Sequence, residues 1–270
     1  ANGLRLESKS GASERIAIKA TTRPETVGPT DLIVVLVKCY HTEAAVRAAQ
    51  PMIGAQTKVL SLQNGWGNGP RIADIVGPER LLIGVSYHSA TVIGPGNVRH
   101  VGQGPTYIGN WHGGANGNAG KIADIFNTAG IETIVAEDVV PQIWSKLALN
   151  VCTLPTSALT RLESAQLVQS QELLDLMAAL LRETVAVAKR KGIQLDFDER
   201  WESITGLLRR CGPGAKSSML QDVENRRRTE IDVINGAIVE AGQAAAIPTP
   251  HNDAMTWIIK ALERTFLPSS

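Results

Sequence analysis

Lys146 and Asn150 stand four residues apart in Trp144-Ser145-Lys146-Leu147-Ala148-Leu149-Asn150. On a helix that spacing puts both on one face. A lysine and an amide projecting together from an otherwise apolar helix can hold an oxygen and protonate it. The same spacing also fits a surface lysine beside a capping amide, and spacing alone does not choose between the two. Further along, Ser217-Ser218-Met219-Leu220-Gln221-Asp222 precedes Thr229-Glu230-Ile231-Asp232. Ile231, Ile234 and Ile238 read as a buried face, and Glu230 just before it is a candidate to turn a carboxylate into a cleft. Ser218 reads equally well as a helix N-cap with Asp222 in the first turn. In the first half, Lys38 and Asn64 each follow a strand-like run, the position where ligands of open α/β sheets bind.

Other chemistry is poorly represented. Cys39, Cys152 and Cys211 are far apart, odd in number and form no CxxC pair, so neither a zinc site nor a disulfide framework is expected. His41, His88, His100, His112 and His251 show no HxxxH or HxH spacing, so no metal is expected. With 27 basic and 26 acidic residues the formal charge is +1, which gives no electrostatic reason for a nucleic-acid or anionic-membrane partner. The longest apolar run, Leu32 to Val37, is too short to span a bilayer. Ala1-Asn2-Gly3-Leu4 shows neither the basic nor the apolar region of a secretory leader, and reduced cysteines fit a cytoplasmic protein.

Two kinds of element must position these residues. Leu32 to Val37, Val59 to Leu62 and Leu81 to Ser86 read as buried strands, separated by helical stretches at Thr42–Met52 and Ile72–Val76. Such alternation implies parallel pairing with right-handed crossovers. Gly94-Pro95-Gly96-Asn97 is a turn between Thr91 and Asn110, a region expected to form a small antiparallel extension at the sheet edge. Lys121–Thr128 reads as a helix and Glu132–Val135 as a last strand. After Asp138 the apolar spacing is helical throughout, at Val139–Leu149, Leu173–Lys191, Asp198–Arg209, Glu230–Ala245 and Asp253–Glu263. The expectation is an α/β domain over 1–137 and an all-α domain of about six helices over 138–270.

A dinucleotide-binding sheet usually carries GxGxxG after its first strand. Gly65-Trp66-Gly67-Asn68-Gly69 has Pro70 where the third glycine of that pattern would fall, and Gly114, Gly117 and Gly120 have GxxGxxG spacing.

Trp144 to Pro155 resembles the segment around the catalytic lysine of ketopantoate reductases. Ser217 to Asp222, followed at the same spacing by Thr229-Glu230-Ile231-Asp232-Val233-Ile234-Asn235-Gly236, is similar to that family's most distinctive stretch. Ala246-Ile247-Pro248-Thr249-Pro250, Asp31 to Lys38, Gln63-Asn64-Gly65 and Gly94-Pro95-Gly96 also fit, so the resemblance covers nearly the whole chain. Asn2-Gly3-Leu4-Arg5-Leu6 resembles a family segment that follows the glycine loop, which leads to the expectation that the N-terminal GxGxxG unit is missing here.

The resemblance implies an incomplete Rossmann-type parallel sheet domain followed by a helical domain. It also implies reduction of 2-dehydropantoate to (R)-pantoate by NADPH, in pantothenate and coenzyme A biosynthesis. In that scheme Lys146 and Glu230 are catalytic, Asn64, Asn150 and Ser218 bind substrate, and Lys38, Asn64, Ala90 and Glu230 contact the cofactor. The expected partners are a small 2-keto acid and a second copy in a homodimer, with neither nucleic acid nor membrane. Two departures bear on the substrate: Leu154-Pro155 stands where the family usually has Asn-Pro, and a further family asparagine falls near Ser164. They favour, as alternatives, a related reductase of another 2-keto acid or a non-catalytic dimeric ligand-binding relative.

Overall fold

The structure is a computed structural model that describes residues 3–8, 10–114 and 117–268. Ala1 and Asn2, quoted above for the leader and for the opening family segment, lie outside the described residues. The elements of the first half are β1 (Leu4–Glu7), β2 (Ser13–Ile16), β3 (Thr30–Val35), α1 (Thr42–Ala48), β4 (Ile53–Ser61), α2 (Asn68–Val76), β5 (Leu81–Ser86), β6 (Ser89–Gly94), β7 (Asn97–Gly102), β8 (Thr106–Asn110), α3 (Gly117–Thr128) and β9 (Thr133–Val135). The second half holds α4 (Val140–Thr160), α5 (Gln171–Arg190), α6 (Phe197–Arg210), α7 (Ser218–Glu224), α8 (Asn235–Ala245) and α9 (Pro250–Glu263). The chain divides into two compact units. One comprises Ala1–Val37, His41–Gln63 and Gly69–Val139; the other comprises Lys38–Tyr40, Asn64–Asn68 and Val140–Ser270.

The first unit is Rossmann-like, built on a five-stranded sheet in the order β3-β4-β5-β8-β9. β3, β4 and β5 run parallel. The uninterrupted apolar run of β5 follows from its burial on both faces, Leu81 to Val85 being buried throughout. The sheet is mixed: the parallel pairing expected from strand–helix alternation holds for β3, β4 and β5, and the antiparallel part enters with β8. β8 lies antiparallel to β5, with Leu82 opposite Asn110 and Ser86 opposite Thr106. Between β5 and β8 the chain makes only the β6–β7 hairpin, without a helical crossover, so it returns in the opposite sense. From β8 to β9 it passes through α3, and that pair is parallel again. Leu60, Leu82 and Ile108 pack against Ala119, Ile122 and Ala123 of α3. The antiparallel extension expected over Thr91 to Asn110 is divided: β8 joins the main sheet between β5 and β9, while β6 and β7 belong to a second sheet ordered β2-β1-β7-β6. Its β1 and β2 carry no apolar alternation strong enough to read, and β2 is exposed along its length.

The second unit is a six-helix assembly among the described residues. Trp144, Leu147 and Val151 of α4 share one core with Met177, Leu180 and Leu181 of α5, Met219 of α7, Ile238 of α8 and Ile259 of α9. Side-chain caps set three of the helix starts: Ser170 for α5, Asp196 for α6 and Ser217 for α7. The helix expected over Glu230–Ala245 is broken. A short 3-10 turn, Ile231–Val233, is followed by Ile234 at φ −107° and ψ −93°, and only then does α8 begin. The Val233 carbonyl there accepts the Trp66 N–H at 2.8 Å. No helix among the described residues is long and apolar enough to cross a membrane.

Candidate active site

The second unit gathers Lys38, Asn64, Lys146, Asn150, Ser218 and Glu230. Ala90, the remaining site residue expected from sequence, lies on β6 of the first unit and is exposed. Lys146 and Asn150 are carried by α4, whose side toward the bundle core is fixed by Trp144, Leu147 and Val151. Asn150 is 7% exposed. Leu154, one further turn along, shares their face and is likewise buried.

Glu230 is held by two donors from the turn after β3. The Cys39 N–H donates to Oε1 at 3.1 Å, and the Lys38 ammonium donates to Oε2 at 3.2 Å. Lys38 also donates to Asp222 Oδ2 at 2.6 Å, so one ammonium bridges two buried carboxylates. Burial works against the charge on Lys38, but the Glu230 and Asp222 carboxylates outweigh it and raise its pKa. Beside Glu230, the Thr229 N–H is fixed at 2.6 Å by Oε1 of Glu263. The backbone that presents Glu230 is therefore anchored to α9.

Lys146 differs from Lys38. Burial brings its pKa down to about 8, with the Glu230 carboxylate pulling part of the way back. A lysine of that pKa holds its proton at neutral pH yet gives it up far more readily than a solvated one. Asn64 sits in a loop pinned to the helices by its neighbours. Gly65 has φ +84°, and a Cβ there would collide with the Val233 carbonyl, so the backbones approach closely enough to require glycine. Trp66 then packs edge-on against Trp144 with ring centroids 5.8 Å apart.

Ser218 is not the cap of α7. The hydroxyl that caps α7 belongs to Ser217, which accepts the Leu220 N–H at 3.1 Å, while Ser218 is exposed at the first helical position. The capping alternative for Ser218 therefore does not hold. Sequence reasoning gave no site role to Asp222, Trp66 or Glu263. Asp222 appeared only as a first-turn helix residue, and nothing in the sequence marks it as the counter-ion of a lysine 184 positions away. Trp66 did carry a signal: a large aromatic side chain between two glycines in a loop calls for a burial partner.

Among the described residues no group of three or more His, Cys, Asp or Glu is placed to hold a metal ion. The arrangement offers a partly buried lysine of lowered pKa, a carboxylate held by two donors, and amides and a hydroxyl for polar substituents.

Two family models match the chain: ketopantoate reductase PanE/ApbA over residues 1–113, and ketopantoate reductase PanE/ApbA C terminal over residues 138–263. The 2-dehydropantoate 2-reductase of Halobacterium salinarum is 31% identical across 97% of this chain and 86% of its own length. Among solved structures, a PanE/ApbA family ketopantoate reductase from Ralstonia eutropha JMP134 superposes with a TM-score of 0.87 at 31% identity, covering 98% of this chain and 86% of that one. A D-mandelate dehydrogenase in ternary complex with NADH and anilino(oxo)acetate gives a TM-score of 0.90 at 27% identity over the same shares.

Proposed function

The chain belongs to the ketopantoate reductase family, and on that premise we propose that it reduces 2-dehydropantoate to (R)-pantoate with NADPH, with Lys146 as the proton donor. As a member of that family it is an oxidoreductase. The observation that carries the finer reading is Lys146 itself, with a pKa of about 8 on a helix face shared with Asn150 and within the influence of Glu230.

The donor set suits a nicotinamide nucleotide partner. Carbonyl reduction needs a proton delivered to the nascent alkoxide, and Lys146 has the pKa for that task. When bound, the nucleotide supplies a hydride to the keto carbon. Lys38, Asn64, Ala90 and Glu230 are the residues we assign to holding it. Negative charge grows on the carbonyl oxygen during reduction, and the Lys146 ammonium stabilises that charge before giving up its proton from Nζ. Asn150 hydrogen-bonds substrate oxygens, and Ser218 and Asn64 orient the carboxylate end. Glu230 accepts from a substrate hydroxyl and helps keep Lys146 protonated. A homodimer and a cytoplasmic location complete the proposal; sedimentation of the purified protein tests the first. The reaction is tested by following the oxidation of NADPH, and separately of NADH, by absorbance with 2-dehydropantoate as substrate. We expect saturable consumption with a preference for NADPH, and no turnover with either nucleotide would sink the proposal.

A second reading is favoured by Leu154. An apolar side chain on the Lys146–Asn150 face cannot hydrogen-bond the hydroxyl of 2-dehydropantoate, and suits a 2-keto acid with an apolar substituent. The D-mandelate dehydrogenase likeness points the same way. The discriminating measurement is kcat/KM for 2-dehydropantoate against an arylglyoxylate. If the second reading holds, the arylglyoxylate is preferred, and Leu154→Asn shifts the ratio toward 2-dehydropantoate by roughly tenfold or more, since an unmet polar group discriminates more sharply than a methylene.

A further inference from the structure

Pro155 lies inside α4 and has no N–H to give. In a regular helix the N–H of residue 155 would bond the carbonyl of residue 151. The Val151 carbonyl therefore lacks its usual partner, immediately after Asn150 and one turn beyond Lys146. Asn235 supplies a substitute, its Nδ2 donating to the Val151 oxygen at 3.2 Å.

The orientation of that amide is dictated from behind. Glu183 of α5 accepts the Asn252 backbone N–H at 3.0 Å and the Asn252 Nδ2 at 2.7 Å, both on Oε2. With its amide nitrogen committed to a carboxylate, Asn252 presents Oδ1 to Asn235, which donates Nδ2 to it at 3.1 Å. Both contacts of Asn235 thus demand the nitrogen, and its Oδ1 is left buried without a partner. Asn235 and Asn252 are each 0% exposed. A hydrogen-bonded relay from Glu183 through Asn252 and Asn235 ends on the one α4 carbonyl that a proline has freed.

Asn235 opens α8 and follows Glu230 by five residues, on the segment whose start is clamped by Lys38 and Cys39. One amide therefore links the segment bearing Glu230 to the helix bearing Lys146 and Asn150. We propose that Asn235 is a positioning residue for the reduction: by replacing the hydrogen bond that Pro155 removes, it holds Lys146 and Asn150 in place relative to Glu230. The proposal rests on the roles given above to Lys146 and Glu230.

Restoring the missing N–H tests it. Pro155→Ala provides a donor for the Val151 carbonyl from within the helix, so it should rescue Asn235→Ala. Four proteins are compared: the parent, each single variant and the double. Amide hydrogen exchange is followed across 147–158, together with steady-state kinetics. Asn235→Ala should speed exchange at the centre of α4 and lower kcat by about 10- to 100-fold, as expected for a small misplacement of reacting groups. Its KM for NADPH should stay within about twofold. In the double variant, exchange should slow again and most of the lost kcat should return. A double variant no better protected than Asn235→Ala overturns the proposal. So does rescued exchange without rescued kcat in a protein whose parent turns over. If the parent reduces no 2-keto acid, the assigned function fails, and the exchange comparison still decides whether Asn235 substitutes for the absent N–H.

Discussion

At the pH where most buffers are comfortable, Lys146 is close to losing its proton, because burial has brought its pKa down to about 8. With Lys146 as the proton donor proposed above, reduction draws on the protonated form, so kcat/KM for the keto acid should hold level below that pH and fall as pH rises through about 8. Oxidation of the hydroxy acid requires the neutral amine and should rise over the same range. Glu230→Gln removes the carboxylate that opposes burial, so the inflection should move to lower pH. An unmoved inflection in that variant would show that the two side chains do not communicate. Lys146→Ala should keep its fold and lose roughly 100- to 10,000-fold in kcat, the range for general acid catalysis. Lys146→Arg should rescue little, since a guanidinium does not release its proton near neutrality. Near-parental turnover in Lys146→Ala would refute its assignment as proton donor.

Helix α7 shows at the scale of an element what sequence reading resolves and what it leaves open. Ser217 and Ser218 are adjacent and chemically identical, so sequence alone could give either one the cap. The structure gives it to Ser217. Ser217→Ala should therefore lower unfolding free energy by about 1 kcal/mol, the usual cost of a lost N-cap, read from a denaturant midpoint. Ser218→Ala should leave stability nearly unchanged and raise KM for the keto acid; the opposite pattern would return Ser218 to a structural role. A continuous apolar run made β5 legible, and helical spacing did the same for α5, α6 and α9, because burial writes itself into periodicity. The run at Leu32–Val37 located β3 but misjudged its burial, since β3 is an edge strand in which only Val35 is buried and Leu36 beyond it is exposed. Less was legible where a tertiary contact decides the backbone. The break at Ile234 coincides with Val233 turning its carbonyl to Trp66, and the reversal of β8 depends on a hairpin that leaves the main sheet. Helix α4 runs on through Pro155, past the Leu149 where its apolar spacing stopped being readable. Spacing put Lys146 and Asn150 on one face of α4 but left their role open. The Lys38 bridge could not be found from spacing, since its partners lie 184 and 192 positions away.

For the molecule as a whole, the helical unit is not one continuous stretch of chain. Two short excursions from the first half, Lys38–Tyr40 and Asn64–Asn68, belong to it. One delivers the ammonium and the N–H that hold Glu230; the other delivers Trp66 to Trp144. Trp66→Ala should accordingly cost about 3 kcal/mol, in the range for emptying a large aromatic site, although residue 66 lies far from α4 in sequence. A loss below about 0.5 kcal/mol, the usual scatter for a surface change, would mean that the loop merely rests there. Fragments cut at the sequence boundary near residue 137 would leave both excursions on the wrong piece. Heredity meets the same constraint: a crossover that exchanged the helical half between two relatives would carry Lys146, Asn150 and Glu230 together but leave behind Lys38, Cys39 and Trp66. Chimeras joined at that boundary should work only when the parents match at 38–40 and 64–68, so the helical half is inherited as three pieces.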